Sequence, residues 1–488
     1  MTIVIGRALV LIFLGLANLT TLAIADLRSD LAASGVKALL PGDDGYDSAS
    51  NAFNRRFTFS PAAITYPSSP TEVSKSVTIG AANNLQVVAR SGGHSFIANG
   101  LGGKDGALVL DLSNMRSISI DSSTHFATIE PGNRLGDVAV NLNQAGRALP
   151  HGVCPYVGIG GHSGTILVTC NISMLTICTS HDTAFGGWGF TSRMWGLTLD
   201  TIKAVNTVLA NGTIARITAD NYPDLFFALR GAAPSFGITT SVEVETFPAP
   251  EQAVIHEYFW DLDAEAAGQA LFDLQSFFLD TKDLPSEYGG TVIFQKGGAA
   301  GKVAFTFAGG WYGETGKLQS IIKPFLDKLP QPSNTSLPMA GNGTYIDAVK
   351  ILAGGSLDLT QPETPDTFYT KSLMTPEGQP MTREAARSFV NYISDEGFRS
   401  GTDWLMQALV FGGTNSKVNV VPVDTTAFVR RDSLFTWDFR AASADHQAPF
   451  PDDGLTFIDG AYNSLVGSMP SNWDYSAYIN YIDDRLDN

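Results

Sequence analysis

The sequence predicts an α+β fold built from two units. Strand-like and helical runs alternate closely at the start, with a β-α-β pattern over 61–89. A hairpin signal, Asn211-Gly212, sits between two further apolar runs. Beyond the rigid Pro248-Ala249-Pro250, strand-like runs are interleaved with amphipathic helices. The first unit should hold small mixed sheets, and the second an antiparallel sheet covered by helices on one face. The expected boundaries are a leader over 1–25, the first unit over 26–250, the second over 251–452, and a return to the first unit over 453–488.

The leader rests on Arg7, an apolar core from Ala8 to Leu16 and the small-residue site Ala23-Ile24-Ala25, the pattern of a secretory signal. Asn18, Thr20 and Thr21 interrupt the apolar run, which is too short to span a bilayer. A secreted, extracellular protein that does not enter a membrane is expected. The formal charge of −17 disfavours nucleic acid and anionic membranes and suits a neutral small molecule. Three cysteines imply no disulfide framework. Asn171, Asn211, Asn334 and Asn342 each open a glycosylation sequon.

In chain order, Pro61–Tyr66 reads as extended and Thr71 as the N-cap of a helix carrying Val73, Val77 and Ala81. Leu85–Ala89, Leu108–Leu110 and Ala127–Ile129 read as strands, and Leu135–Ala145 as a helix stopped by Gly146. Ile202–Leu209 and Thr213–Thr218 flank the hairpin turn. Asp224–Gly231 is a short helix, Pro234–Thr240 a glycine-bearing turn and Val242–Phe247 a closing strand. In the second unit, Ile255–Trp260, Thr291–Phe294, Val303–Phe307, Trp404–Val410 and Leu434–Phe439 are strands. One helix presents Ala267, Leu271, Leu274 and Phe278, and another spans Thr382–Ser394. Leu329–Gly343 marks a surface loop.

Two loops stand out for chemistry. Residues 90–95 read Arg-Ser-Gly-Gly-His-Ser directly after an apolar run, and 152–162 read Gly-Val-Cys-Pro-Tyr-Val-Gly-Ile-Gly-Gly-His. Paired glycines let backbone N–H groups approach a bound anion. Each loop holds one reactive side chain, His94 and Cys154. Taken singly, His94 reads more readily as a locally bonded loop histidine, and Cys154 reads equally as an inert buried thiol.

Taken together, the loops resemble the FAD-binding domain of the vanillyl-alcohol oxidase superfamily (the PCMH type). Within it they resemble the berberine-bridge-enzyme-like oxidases, and most narrowly those acting on gluco- and chito-oligosaccharides. The resemblance implies bicovalent FAD, with His94 bonded to the flavin 8α-methyl carbon and Cys154 to carbon 6. It implies that Arg90, Ser91, Gly92, Gly93, Ser95, Gly158, Gly160, Gly161 and His162 line the cofactor. Gly237 and Ile238 would lie against the flavin or its pyrophosphate. The second unit becomes the substrate domain.

Tyr478-Ile479-Asn480-Tyr481 resembles the family's C-terminal motif and implies Tyr481 as catalytic base with Tyr478 as its neighbour. The partner carboxylate is expected on the strand before Gly412-Gly413, where the sequence instead reads Gln407-Ala408-Leu409. Asp438 is the substitute, with a solvated surface aspartate as the alternative. Gln407 and Trp404 are candidates for substrate contacts. The implied reaction takes a hydride from the anomeric carbon of an oligosaccharide and passes electrons to O₂, giving H₂O₂, in a monomer.

Two other readings remain open. One is a berberine-bridge-type oxidase of a secondary metabolite. The other is an inactive product of a mis-spliced gene, because Ser163–Ala184 forms an apolar insert relative to the family pattern and Asn488 ends the chain early. Cys170, Cys178 and His181 in that insert lack a fourth partner and are not read as a metal site, so no metal is expected.

Overall fold

The computed structural model describes residues 26–160, 186–333, 343–481 and 483–485. The expected leader, the insert, Gly161 and His162 lie outside these, as do the sequons at Asn171, Asn334 and Asn342. Asn211 is exposed in its turn.

The first sheet contains β1 (Ala38–Leu39), β2 (Ala63–Thr65), β3 (Val87–Arg90) and β4 (Leu108–Asp111) in the order β1-β2-β4-β3. β2 and β3 run parallel to β4, and β1 runs antiparallel to β2. The crossover between β2 and β3 is the Pro70–Ala82 helix, whose Val73 and Val77 pack against Leu108 and Leu110. Its N-cap is Ser69, not Thr71: the Ser69 hydroxyl accepts the Glu72 N–H at 3.3 Å, and Pro70 fits the first helical position because no N–H is needed there. β3 thus ends at Arg90, and the crossover delivers the 90–95 loop to the sheet's end.

The second sheet is antiparallel. It contains β5 (Ile118–Ile120), β6 (Phe126–Ile129), β8 (Ile202–Val208), β9 (Ile214–Ile217) and β10 (Ile238–Glu245) in the order β5-β6-β10-β8-β9. β10 begins at Ile238, so the turn expected to reach Thr240 ends sooner, at Gly237. β7 (Arg147–Ala148) pairs with β11 (Phe247–Pro248).

The third sheet has the order β12-β14-β13-β16-β17-β15 and is antiparallel throughout. Its strands are β12 (Val254–Asp263), β13 (Tyr288–Lys296), β14 (Lys302–Trp311), β15 (Phe368–Pro376), β16 (Asp403–Val410) and β17 (Ser433–Ala442). The Ala264–Asp280 and Arg383–Arg399 helices cover one face, burying Leu271, Phe278, Phe389 and Ile393 against Phe294, Met406 and Trp437. The opposite face supplies Ile293, Leu405, Leu409 and Met374 to the core that holds Val153 and Cys154. The fold is therefore α+β with mixed and antiparallel sheets.

One boundary needs correction. The chain does not leave this sheet at Asp453. The Asp452–Val466 helix packs Phe457, Ile458, Ala461 and Leu465 into the helix-covered core, because its apolar face matches the one left open beside β15 and β17. The chain then still pairs with this sheet, Ser476 and Met374 exchanging backbone hydrogen bonds across the outer edge of β15, and the return comes only at Tyr478 and Tyr481, which join the core that holds Cys154. Among the described residues, no helix is long and apolar enough to cross a membrane.

Arg193 ties the two halves together. It is buried, and its guanidinium donates to the carbonyls of Gly412 (3.0 Å), Pro285 (3.0 Å), Tyr288 and Thr414. Burial pulls it down to about 10, which still leaves it charged at neutral pH. Arg193→Met keeps the bulk but strips this donor from four carbonyls, so unfolding free energy should fall by about 3–5 kcal/mol. Urea denaturation measures it, and a change under about 1 kcal/mol would show that the clamp is dispensable.

Candidate active site

The 90–95 loop is braced from beneath. Arg90 Nε and Nη2 donate to Asp111 at 2.9 and 2.6 Å, and Nη1 donates to the Ala49 carbonyl at 2.6 Å. Arg90, expected to line the cofactor, holds the base of the loop with its side chain against β4, beside which its strand places it. Gly93 adopts φ 77°, a conformation glycine takes without steric penalty, and the chain reverses there to bring His94 inward. Ser95 is buried, and its hydroxyl accepts the Asn99 N–H at 3.0 Å.

The 152–160 loop lies along the start of the Leu135–Gln144 helix. Leu135 and Gly136 N–H groups donate to the Val157 and Pro155 carbonyls at 2.8 and 3.0 Å, and Ile159 N–H donates to the Asn133 carbonyl at 2.9 Å. Ser91 joins the loops, its hydroxyl donating to the Pro131 carbonyl and accepting the Gly160 N–H at 3.2 Å. Gly92 and Gly158 touch backbone to backbone, so a Cβ on either would collide with the other. Gly160 packs as closely against Pro131.

This contact brings His94 and Cys154 into one buried cluster with Glu363, which sequence reasoning did not find. Their donor atoms all lie within 4.8 Å of one another. Glu363 Oε2 meets His94 Nε2, while His94 Nδ1 is buried with no hydrogen-bond partner among the described residues. Phe53 stacks on the imidazole, with centroids 4.6 Å apart and planes 16° apart. Asn54, next in sequence, donates from Nδ2 to the carbonyls of Phe96 (2.7 Å) and Phe368 (2.9 Å).

The C-terminal tyrosines arrive through β15. Tyr478 N–H donates to Ser372 Oγ at 2.9 Å, and its hydroxyl accepts the Gly187 N–H at 3.2 Å. Burial holds that phenol well above its usual range. Tyr481 stacks 6.2 Å from Phe96, two residues after His94, and stands edge-on to Tyr478 at 5.5 Å. Both tyrosines are fully buried. Lys371 anchors the chain beyond Tyr481 by pairing with Asp483 (2.5 Å), and it also reaches Asp459 (3.2 Å).

Gln407 and Asp438 are cross-strand partners on the face opposite the helices, and Ser372 is paired with Asp438 in turn. Gln407 donates to Thr291 Oγ1 at 3.3 Å. Asp438 is buried, which excludes the solvated alternative. Thr370 donates to its Oδ1, while Oδ2 has no partner among the described residues. Burial pushes its carboxyl up to about 6, against the opposing pull of Arg440 and the Thr370 bond. Glu257, on β12 and paired with Ala308, is likewise pushed up to about 7 by burial.

Trp404 does not belong to this face. The strand period turns it toward the helices, where its indole donates to the Gly397 carbonyl at 2.8 Å and packs on Phe457. It is a core residue, not a substrate contact. Gly237 and Ile238 lie at the head of β10 against Thr207 and Val208, with Ile238 packed on the first sheet's core.

A buried histidine and thiol are thus brought together by two interlocked glycine loops, and Tyr478 and Tyr481 pack into the same core as the thiol. The sequence over 61–171 matches the model of the FAD binding domain family. The chain is 32% identical over 452 residues to a chitooligosaccharide oxidase of Gibberella zeae, covering 92% of this chain and 84% of the relative. Among solved structures, a xylooligosaccharide oxidase of Myceliophthora thermophila with xylobiose superposes with a TM-score of 0.82 at 30% identity, covering 94% and 91% of the two chains. A glucooligosaccharide oxidase of Acremonium strictum, described with 6-S-cysteinyl, 8α-N1-histidyl FAD, gives 0.81 at 30% identity over 94% and 91%. The chain belongs to the FAD-linked oxidases of the vanillyl-alcohol oxidase and berberine-bridge-enzyme-like family, in the group of the oligosaccharide oxidases.

Asp438 should leave a pH signature. Its folded value lies above the ordinary aspartate value, so its stabilising effect is complete below about pH 4 and is lost as pH rises through about 6. Asp438→Asn removes that loss. Relative to wild type, the variant should gain on the order of 2–3 kcal/mol between pH 4 and pH 7. Denaturation curves that stay parallel across this range would contradict it.

Proposed function

We propose that this protein is a secreted oligosaccharide oxidase whose FAD is tethered through both His94 and Cys154. One observation carries the reading: a buried His94 Nδ1 without a partner among the described residues, beside the buried Cys154. An imidazole nitrogen kept from water with nothing to bond is costly unless a ligand completes it. The Acremonium enzyme's linkage uses the same two side-chain types and the N1 nitrogen, which is Nδ1. The residues therefore fit a flavin held at two points.

Bound there, FAD supplies the hydride acceptor, and O₂ removes its electrons as H₂O₂. The chain's own residues do the rest. Tyr481 takes the proton from the anomeric hydroxyl at its phenolic oxygen, and Tyr478 fixes the pocket wall through its bonds to Ser372 and Gly187. Asp438 and Gln407 offer a carboxyl and an amide to sugar hydroxyls from adjacent strands. The strand before Gly412-Gly413, where the family pattern expects an acid, reads Gln407-Ala408-Leu409, and Asp438 on the adjacent strand offers a carboxyl instead. Gly92, Gly93, Ser91, Gly158 and Gly160 shape the flavin's bed. Secretion is supported by the leader pattern over 1–25, and glycosylation by the exposed Asn211.

Acid-precipitated protein should stay yellow, and H₂O₂ should appear with gluco-, xylo- or chito-oligosaccharides. Protein that stays yellow but whose flavin no sugar reduces would overturn the carbohydrate reading while leaving the tether intact. Tyr481→Phe should retain its flavin and lose about 10²–10⁴-fold in turnover. Anaerobic flavin reduction should slow by the same factor, with reoxidation by O₂ unchanged. Reduction at the wild-type rate would place the base elsewhere.

A further inference from the structure

We propose that Glu363 makes His94 competent to bond the flavin, by holding the imidazole proton on Nε2 and accepting it as the bond forms. The proposal rests on the bicovalent reading above. A carboxylate oxygen facing Nε2 requires a hydrogen on that nitrogen. A neutral imidazole then carries its lone pair on Nδ1. That nitrogen is buried and has no acceptor among the described residues to hold a second hydrogen. The tautomer that leaves Nδ1 nucleophilic is the one this geometry favours.

Ring and carboxylate are held by one brace. Phe53 stacks on the imidazole. Its carbonyl accepts the Asp366 N–H at 3.1 Å, and the Arg55 N–H donates to the Asp366 carbonyl at 2.7 Å. Asp366 lies three residues after Glu363, and its own carboxylate is fixed by Arg440 at 2.6 Å and His446 at 3.0 Å. The 53–55 segment therefore positions His94 from one side and the Glu363 loop from the other.

The step balances. Nδ1 bonds to the flavin 8α carbon, that carbon releases one proton, and the Nε2 proton passes to Glu363. The two electrons left on the flavin pass to molecular oxygen, which leaves with two protons as H₂O₂. Glu363 acts through His94 and is a positioning residue that also receives the proton.

Peptide mass spectrometry of purified holoprotein tests this by reading flavin occupancy at His94 and Cys154 separately, without reference to turnover. Glu363→Gln keeps size and an acceptor oxygen but removes the charge. It should bind FAD and keep the Cys154 link while the His94 link falls at least tenfold. In the Cys154→Ala background, adding Glu363→Gln should turn acid-stable flavin into acid-released flavin. Glu363→Ala opens space for a small carboxylate, so formate should speed His94 linkage there while chloride does not. Full His94 occupancy in Glu363→Gln, or formate without effect in Glu363→Ala, would overturn the proposal. Wild-type protein lacking flavin on His94 would overturn the bicovalent reading itself.

Discussion

The backbone contact between Gly92 and Gly158 is the constraint on which the site depends. His94 follows the end of a parallel strand, and Cys154 sits in a loop laid along a helix start. Neither element requires the other's company. They meet because two residues without Cβ atoms let their chains pass at van der Waals distance, and the Ser91 hydroxyl then locks the crossing. Any side chain at either glycine would push the loops apart by about an ångström or more, and His94 and Cys154 would no longer share one cluster.

A second layer fixes the loops to the sheet that roofs them. Asn54 reaches the carbonyl just past His94 and the first residue of β15 with one amide group. β15 then carries Ser372, which receives Tyr478, and Lys371, which holds Asp483. The order of attachment runs from the His94 loop through Asn54 to β15, and from β15 to the tyrosines. An edge strand suits this role because its outer side has backbone groups to offer, and Met374 uses them to pair with Ser476.

Much of this was legible in the sequence, and the gaps have physical causes. The loops around His94 and Cys154 announce themselves because glycine pairs beside one reactive side chain are local features. The helix through Ala267, Leu271, Leu274 and Phe278 was legible because its buried residues repeat at helical spacing. β15 was not, since Thr370, Lys371 and Ser372 interrupt its apolar residues although the whole strand is buried. Glu363 was invisible for another reason. It lies 269 residues from His94 between two prolines, and no local pattern encodes a contact made by chain closure. Trp404 misled because aromatic character suggests sugar stacking, whereas strand parity, which decides the face, placed Met406 and Ala408 beside it in the helix-covered core.

The buried carboxylates show how the protein keeps charge usable inside an apolar roof. Arg440 lies between two acids on the same side of the sheet. It donates to Asp366 at 2.6 Å and draws Asp438 downward through space. A full salt bridge to Asp438 would hold that acid ionised at every working pH, and an isolated one would keep it protonated. Shared with Asp366, the arginine leaves Asp438 at about 6, where either form is within reach near neutrality. The same sharing keeps Asp366 fixed, and Asp366 holds the loop that carries Glu363. One cation therefore acts on two buried acids at once, opposing through space the burial that raises Asp438 and bonding Asp366, which lies three residues from the acid that meets His94.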